Sequence, residues 1–289
     1  MSELSKYSKS DLRGFFAILG DWLVIAFAVG VSEFLSNPLT TLFAIWIIGA
    51  KQYALGEVLV HEASHNNLFA TRSWNSSLQF LFSGPFLRTV EMYRKEHLPH
   101  HSDLGGLRDP LCETFEDQGL NNGPLSLKSA LQHWFFKPIL FGGVLSFARD
   151  ELLQEGWHYY RFHIFLYILV IFTCFQFDLL FEFFIYWVLP IFWCMPAFIH
   201  WQETDDHFNT IGLARNNVGV VRNYMTHNSG YHYVHHMNPT IPWFHTKFAA
   251  QHEYSDCKDV SSGFLGTFRA IMSPHEEDAF EICKNRLEK

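Results

Sequence analysis

Four apolar stretches constrain this chain more than any other feature. They run from Phe15 to Phe34, from Leu39 through FAIWIIGA to about residue 60, over residues 161–177 (RFHIFLYILVIFTCFQF) and over residues 181–200 (FEFFIYWVLPIFWCMPAFIH). Each approaches the roughly 20 apolar residues that carry a helix across a bilayer. Their apolar side chains cover most of the helix circumference, and only lipid or a very large core buries such a helix. The links within each pair, SEFLSNPL and DLL, are short, so the spans pair into two hairpins. The fold class expected is an all-α membrane protein with four transmembrane helices in two hairpins, one domain over residues 1–289. The 30 Phe and 9 Trp suit lipid-facing surfaces better than an ordinary soluble core.

Charge sets the orientation. The hairpin links carry no Lys or Arg, whereas Lys6, Lys9 and Arg13 precede the first span. Arg72, Arg88, Arg94, Lys95, Arg108, Lys128, Lys137 and Arg149 lie between the hairpins. The positive-inside bias puts both termini and the segments 61–160 and 201–289 in the cytoplasm as a helical cap. In antiparallel helices Asp21 and Lys51 lie at one depth, roughly two turns below that boundary. They are expected to pair, since a lone charge there is costly.

A net charge of −8 and the lack of a long basic run exclude nucleic acid as the expected partner. The five cysteines show no CxxC spacing, so neither a disulfide framework nor a cysteine zinc site is signalled. No haem-attachment or dinucleotide-binding motif is present. Near the end, Ser273-Pro274-His275-Glu276 reads as a capping box opening a short helix.

Histidine is the outlier, with 17 in the chain and eight of them in three tight clusters. The first is HEASH, in which His61 and His65 share a helix face. The second, RKEHLPHHSD, holds His97, His100 and His101, and the third, YHYVHHMNP, holds His232, His235 and His236. Adjacent histidines on a helix point in different directions, so an HH pair can serve two different metals. Eight imidazoles are too many for one ion and a natural number for two. Both hairpins return to their starting side, so all three clusters reach one membrane face.

HEASH also fits the zinc-protease signature, with Glu62 as general base on a zinc-bound water. A membrane zinc hydrolase would use His61, Glu62 and His65 but leaves both HxxHH boxes without a role. A non-catalytic metal carrier usually places its ionisable groups inside the spans, whereas these boxes lie outside them.

The constellation HxxxH, HxxHH, HxxHH, set between two membrane hairpins, resembles the membrane-bound fatty acid desaturase and hydroxylase superfamily. The likeness runs from the first span to about residue 252. It includes YRKEHLPHHSDLGGLRDP around the second box and YHYVHHMNPTIPWFHTKFAAQH around the third. The three-residue first spacer is that of lipid-type desaturases, and His232 stands where front-end desaturases carry Gln.

The resemblance implies a non-haem centre of two Fe ions held largely by these eight histidines, with O2 as co-substrate. It implies a ninth histidine at the cytoplasmic end of the last span. His200 is the expected residue and His207, in ETDDH, the competing choice. Two electrons would come from a separate donor, a ferredoxin or cytochrome b5 type protein. The activity implied is insertion of a double bond into an acyl chain or related lipid, with hydroxylation as the alternative outcome on the same ligands. Glu62, Asp103, Asp109, Glu203, Asp205 and Asp206 are candidate acceptors for the outer N–H groups of the ligands. His227, His245 and His252 are expected in structural or supporting roles. Leu39 to His65 is about 40 Å of helix against a hydrocarbon core of about 30 Å. The boxes would therefore stand about 10 Å clear of the bilayer core, within reach of a lipid tail rising from it.

Overall fold

A computed structural model describes residues 6–86, 88–106, 108–120, 123–148, 157–212 and 214–274, with backbone alone for residues 145, 146, 157–160 and 162. Helix α1 (Asp11–Leu35) begins at Ser10, whose side chain accepts from the Arg13 N–H. It ends at Ser36 in the left-handed region (φ 47°), whose N–H reaches Ser32 O. Helix α2 (Pro38–Ser64) starts at once. Asn37 caps it, its Oδ1 accepting from Leu39 N at 2.9 Å, and Pro38 occupies the first turn, where its missing N–H costs nothing. These two signals make the tight α1–α2 hairpin.

Three helices are long and apolar enough to cross a membrane: α1, α2 and, further on, Leu180–His207. Between the two hairpins come α3 (Val90–Ser102) and α4 (Leu111–Gln118). Helix α5 (Trp157–Gln176) covers the third expected span, but its apolar stretch, His163–Gln176, is shorter than the other three. The last candidate span, α6 (Leu180–His207), is seven residues longer at its C-terminal end than the apolar pattern indicates. Beyond it lie α7 (His232–Met237), α8 (Trp243–His252) and α9 (Gly263–Ala270). The capping box at residues 273–276 extends outside the described residues.

Helix α2 is the central element, packed between α1 and α6. Ile18 and Ile25 of α1, Ile48, Leu55 and Leu59 of α2, and Ile191 and Met195 of α6 form its core. Gly49 allows the α2–α6 approach, because a Cβ there would meet Cys194 Cβ at 2.2 Å. The outward faces are apolar and exposed, with Phe16, Phe27 and Phe34 on α1 and Phe165, Phe172 and Phe175 on α5. Side chains of this kind belong against lipid tails rather than water.

The anticipated pair is formed: Lys51 Nζ lies 2.8 Å from Asp21 Oδ1, and both side chains are buried. The pattern did not signal its third member, His227, whose Nε2 is 2.7 Å from Asp21 Oδ2. Cys174, Cys194 and Cys257 carry free thiols, whereas Cys112 is disulfide-bonded, a bridge the spacing did not signal.

The C-terminal end of α6 is held by a buried arginine. Arg215 donates to Asp205 O at 2.6 Å and to Phe208 O and Asn209 O at 2.9 Å each. Of these, Asp205 O belongs to the last helical turn, whose carbonyls a helix end leaves unpaired, and Phe208 and Asn209 follow it directly. A short parallel pairing of Asn216–Asn217 with Val260–Ser261 ties this segment to the start of α9.

Candidate metal centre

Among the described residues nine histidines converge, and they fall into two groups. His61, His65, His97, His101 and His235 form one; His100, His207, His232 and His236 form the other. Local periodicity explains the division. In each HxxHH box the first and last histidines are four apart and share a face, while the middle one lies on the adjoining face. The second box sends His97 and His101 to the first group and His100 to the second. The third box does the reverse, sending His232 and His236 to the second group and His235 to the first. The HxxxH pair goes whole to the first group.

In the contacting pairs the rings meet through Nε2. His235 Nε2 is 2.9 Å from both His61 Nε2 and His101 Nε2, and His101 Nε2 is 2.9 Å from His97 Nε2. In the second group His207 Nε2 lies 2.9 Å from His232 Nε2 and 3.2 Å from His100 Nε2. His232 and His236 meet at 3.0 Å. The Nε2 atom of His65 is buried without a hydrogen-bond partner among the described residues. Nitrogens bound about 2.1 Å from a first-row ion stand about 3 Å apart at right angles and about 3.4 Å apart at tetrahedral angles. The observed spacings match the right-angle value. Nitrogens spaced in this way can share one first-row ion, and imidazole itself suits iron, zinc, copper and nickel.

The outer ring nitrogens meet carboxylates, as metal-binding histidines generally require. His100 Nδ1 is 3.0 Å from Asp109 Oδ1. Asp109 is itself fixed by the N–H groups of Gly105 (2.7 Å) and Leu111 (3.0 Å). His61 Nδ1 is 3.3 Å from Glu62 Oε1, and His232 Nδ1 is 3.4 Å from Asp206 Oδ2. Glu62 accepts the Trp243 N–H with its other oxygen, so it braces the site from behind. In a zinc protease the same glutamate would face the ion's open position.

The remaining candidate acids have other partners. Asp103 holds Arg108, Glu203 takes a hydrogen bond from Gln118, and Asp205 joins Arg222, Asn217 and Thr267. His245 approaches Ser8 O and His252 approaches Phe248 O, so both serve structure.

Burial keeps six of these imidazoles neutral. It pushes His65 down to about 2 and His101 to about 3, with repulsion from neighbouring imidazoles adding to the effect. His97, His232, His235 and His236 lie well below the usual range for the same reasons. A neutral imidazole is the form that binds a metal.

The expected ninth member requires correction. His207, not His200, stands in the second group. The two are seven residues apart on one helix, nearly the same face and about 10 Å along the axis. The apolar pattern stops at His200, but α6 continues for two more turns and carries His207 to the centre. His200 stays behind, buried, with its Nε2 unpartnered among the described residues.

A cavity of about 310 Å³ adjoins the centre and is lined by His61, His97, His100, His207, His232 and His235 together with Glu57, Arg88 and Glu203. Arg88 pairs with Glu57 on its wall.

Fold and site together define a helical membrane protein built around twin histidine groups. Comparison with known sequences agrees: residues 36–265 match the fatty acid desaturase family, and the chain belongs to that family. It is therefore an oxidoreductase of the desaturase kind. Among curated proteins it is similar to the dihydrorhizobitoxine desaturase of Bradyrhizobium elkanii. The two are 25% identical over 275 residues, covering 84% of this chain and 75% of the relative.

Proposed function

We propose that this protein is an O2-dependent desaturase that inserts a double bond into an acyl chain or related lipid. The division of nine imidazoles into two nitrogen-only groups is the observation that carries this reading. The residues fit two iron ions, one held by His61, His65, His97, His101 and His235, the other by His100, His207, His232 and His236. Iron held there would supply the one-electron redox chemistry with which O2 attacks an unactivated C–H bond. The net reaction takes two hydrogens from neighbouring carbons. With two electrons and two protons from outside, O2 leaves as two waters.

The chain's own part is placement. Asp109, Glu62 and Asp206 fix the ring orientations of His100, His61 and His232. The cavity beside the rings brings a substrate carbon against them. Hydroxylation would use the same ligands; the family and the relative's name both favour desaturation.

We further propose four spans in a single domain, with α5 as the fourth beside α6, supported by the exposed Phe165, Ile168 and Phe172. The excess of Lys and Arg between the hairpins supports a cytoplasmic centre and cytoplasmic termini. We propose a separate ferredoxin or cytochrome b5 type protein as the electron donor, as the family resemblance implies.

Mass spectrometry of lipids from cells with and without the protein tests the reading. Loss of two hydrogens supports it, gain of one oxygen turns it to hydroxylation, and an unchanged lipid profile rejects both.

A further inference from the structure

Next to the main cavity lies a smaller chamber of about 60 Å³, lined by His200, Gln118, Glu203, Lys137, Asp117 and Thr114, among others. Glu203 and Thr114 line both spaces, so the chamber adjoins the histidine cavity. Two of its buried polar atoms have no partner among the described residues: His200 Nε2 and Gln118 Oε1.

Both are acceptors. With its proton on the ring nitrogen facing the His133 backbone, His200 presents a lone pair at Nε2. Gln118 Nε2 donates to Glu203 Oε2 at 3.3 Å, and a carboxylate cannot donate in return, which fixes the amide with its oxygen turned away. Lys137, the cation among the lining residues, donates to Asp117 O at 2.5 Å rather than to either acceptor. A buried acceptor without a donor costs about 1–3 kcal/mol. Two such acceptors beside a carboxylate, at the edge of a substrate cavity, describe a receptor for a donor group.

We propose that this chamber holds the polar end of the substrate and that this end is a primary ammonium. Its N–H groups would be shared by His200 Nε2, Gln118 Oε1 and the Glu203 carboxylate. At about 10–15 Å³ for each water-sized occupant, its 60 Å³ suits a small polar end of a few non-hydrogen atoms. His200 lies about 10 Å along α6 from His207. Anchoring the ammonium there fixes which carbon reaches the histidine groups. The proposal rests on the desaturase reading for the identity of its guest as substrate, but the binding itself needs no turnover.

The test uses the full-length, iron-loaded protein in lipid nanodiscs, with n-hexylamine and hexanoate as probes in calorimetric titration. Hexylamine is expected to bind at least about tenfold more tightly than hexanoate. His200→Phe and Gln118→Leu should each weaken it about fivefold, the equivalent of one net hydrogen bond. His200→Gln keeps an acceptor and should restore most of the binding. Iron content, measured on every variant, checks that the fold is intact.

Equal binding of the two probes by the unmodified protein would overturn the proposal, as would full binding by an iron-replete His200→Phe. Ordered water as the sole occupant in a structure with saturating hexylamine would also overturn it. If the protein binds hexylamine through His200 but consumes no oxygen, the desaturase reading fails and the chamber assignment stands.

Discussion

Asp21 of α1 and Lys51 of α2 form an ion pair of 2.8 Å inside the helix bundle. His227, from the segment just before the third histidine box, closes on the same carboxylate at 2.7 Å. Lys51 also donates to Met225 O at 3.0 Å. The pair therefore does more than neutralise two buried charges. It fastens the first membrane hairpin to the chain that carries His232, His235 and His236.

Removing one partner leaves the other charge buried without its ion-pair partner, a loss of up to about 3–5 kcal/mol, although Asp21 would keep His227 and Lys51 would keep Met225 O. Asp21→Asn and Lys51→Met should each destabilise strongly, and the double variant should lose clearly less than the two losses combined. Denaturant unfolding in detergent measures this coupling. Strictly additive losses would show that the pair contributes nothing as a pair.

The two histidines of α6 separate cleanly by iron content. His207→Ala should lower the bound iron from about two per chain towards one, because only the second group loses a nitrogen. His200→Ala should keep both ions. Elemental analysis reads the outcome, and the opposite pattern would return the ninth position to His200.

Asp109 meets the Nδ1 of His100 and lies outside both histidine groups. Asp109→Asn replaces the charged acceptor of the Nδ1 proton with a neutral amide, which cannot accept on both sides as the carboxylate does, and iron affinity should fall about 10–100-fold. Asp103→Asn, whose carboxylate holds Arg108, should leave affinity unchanged. Competition with a chelator gives both values, and a similar loss in the two would remove the special role of Asp109.

Acid should weaken the metal-free protein before it titrates most carboxylates. His65 and His101 have folded values of about 2 and about 3, below the free imidazole value of 6.5. Between these limits the unfolded chain binds more protons than the folded one, so stability falls as pH falls. Unfolding midpoints of metal-stripped protein should drop on going from about pH 7.5 to about pH 5.5. A flat profile over that interval would mean the imidazoles are not buried in the neutral form.

The sequence by itself determined what local periodicity controls. The apolar runs gave three of the helices their length, and the spacing of four within each box placed paired histidines on one helix face. The matching depths of Asp21 and Lys51 were legible for the same reason, since rise per residue is fixed. Tertiary structure decided how those faces meet: which rings share a group, that α6 continues past His200 to present His207, and that His227 joins the buried pair. Such choices depend on contacts between residues more than a hundred positions apart, as in His100–His207 and Lys51–Met225. A periodic pattern fixes the direction of a side chain from its own helix, but only packing fixes what lies opposite.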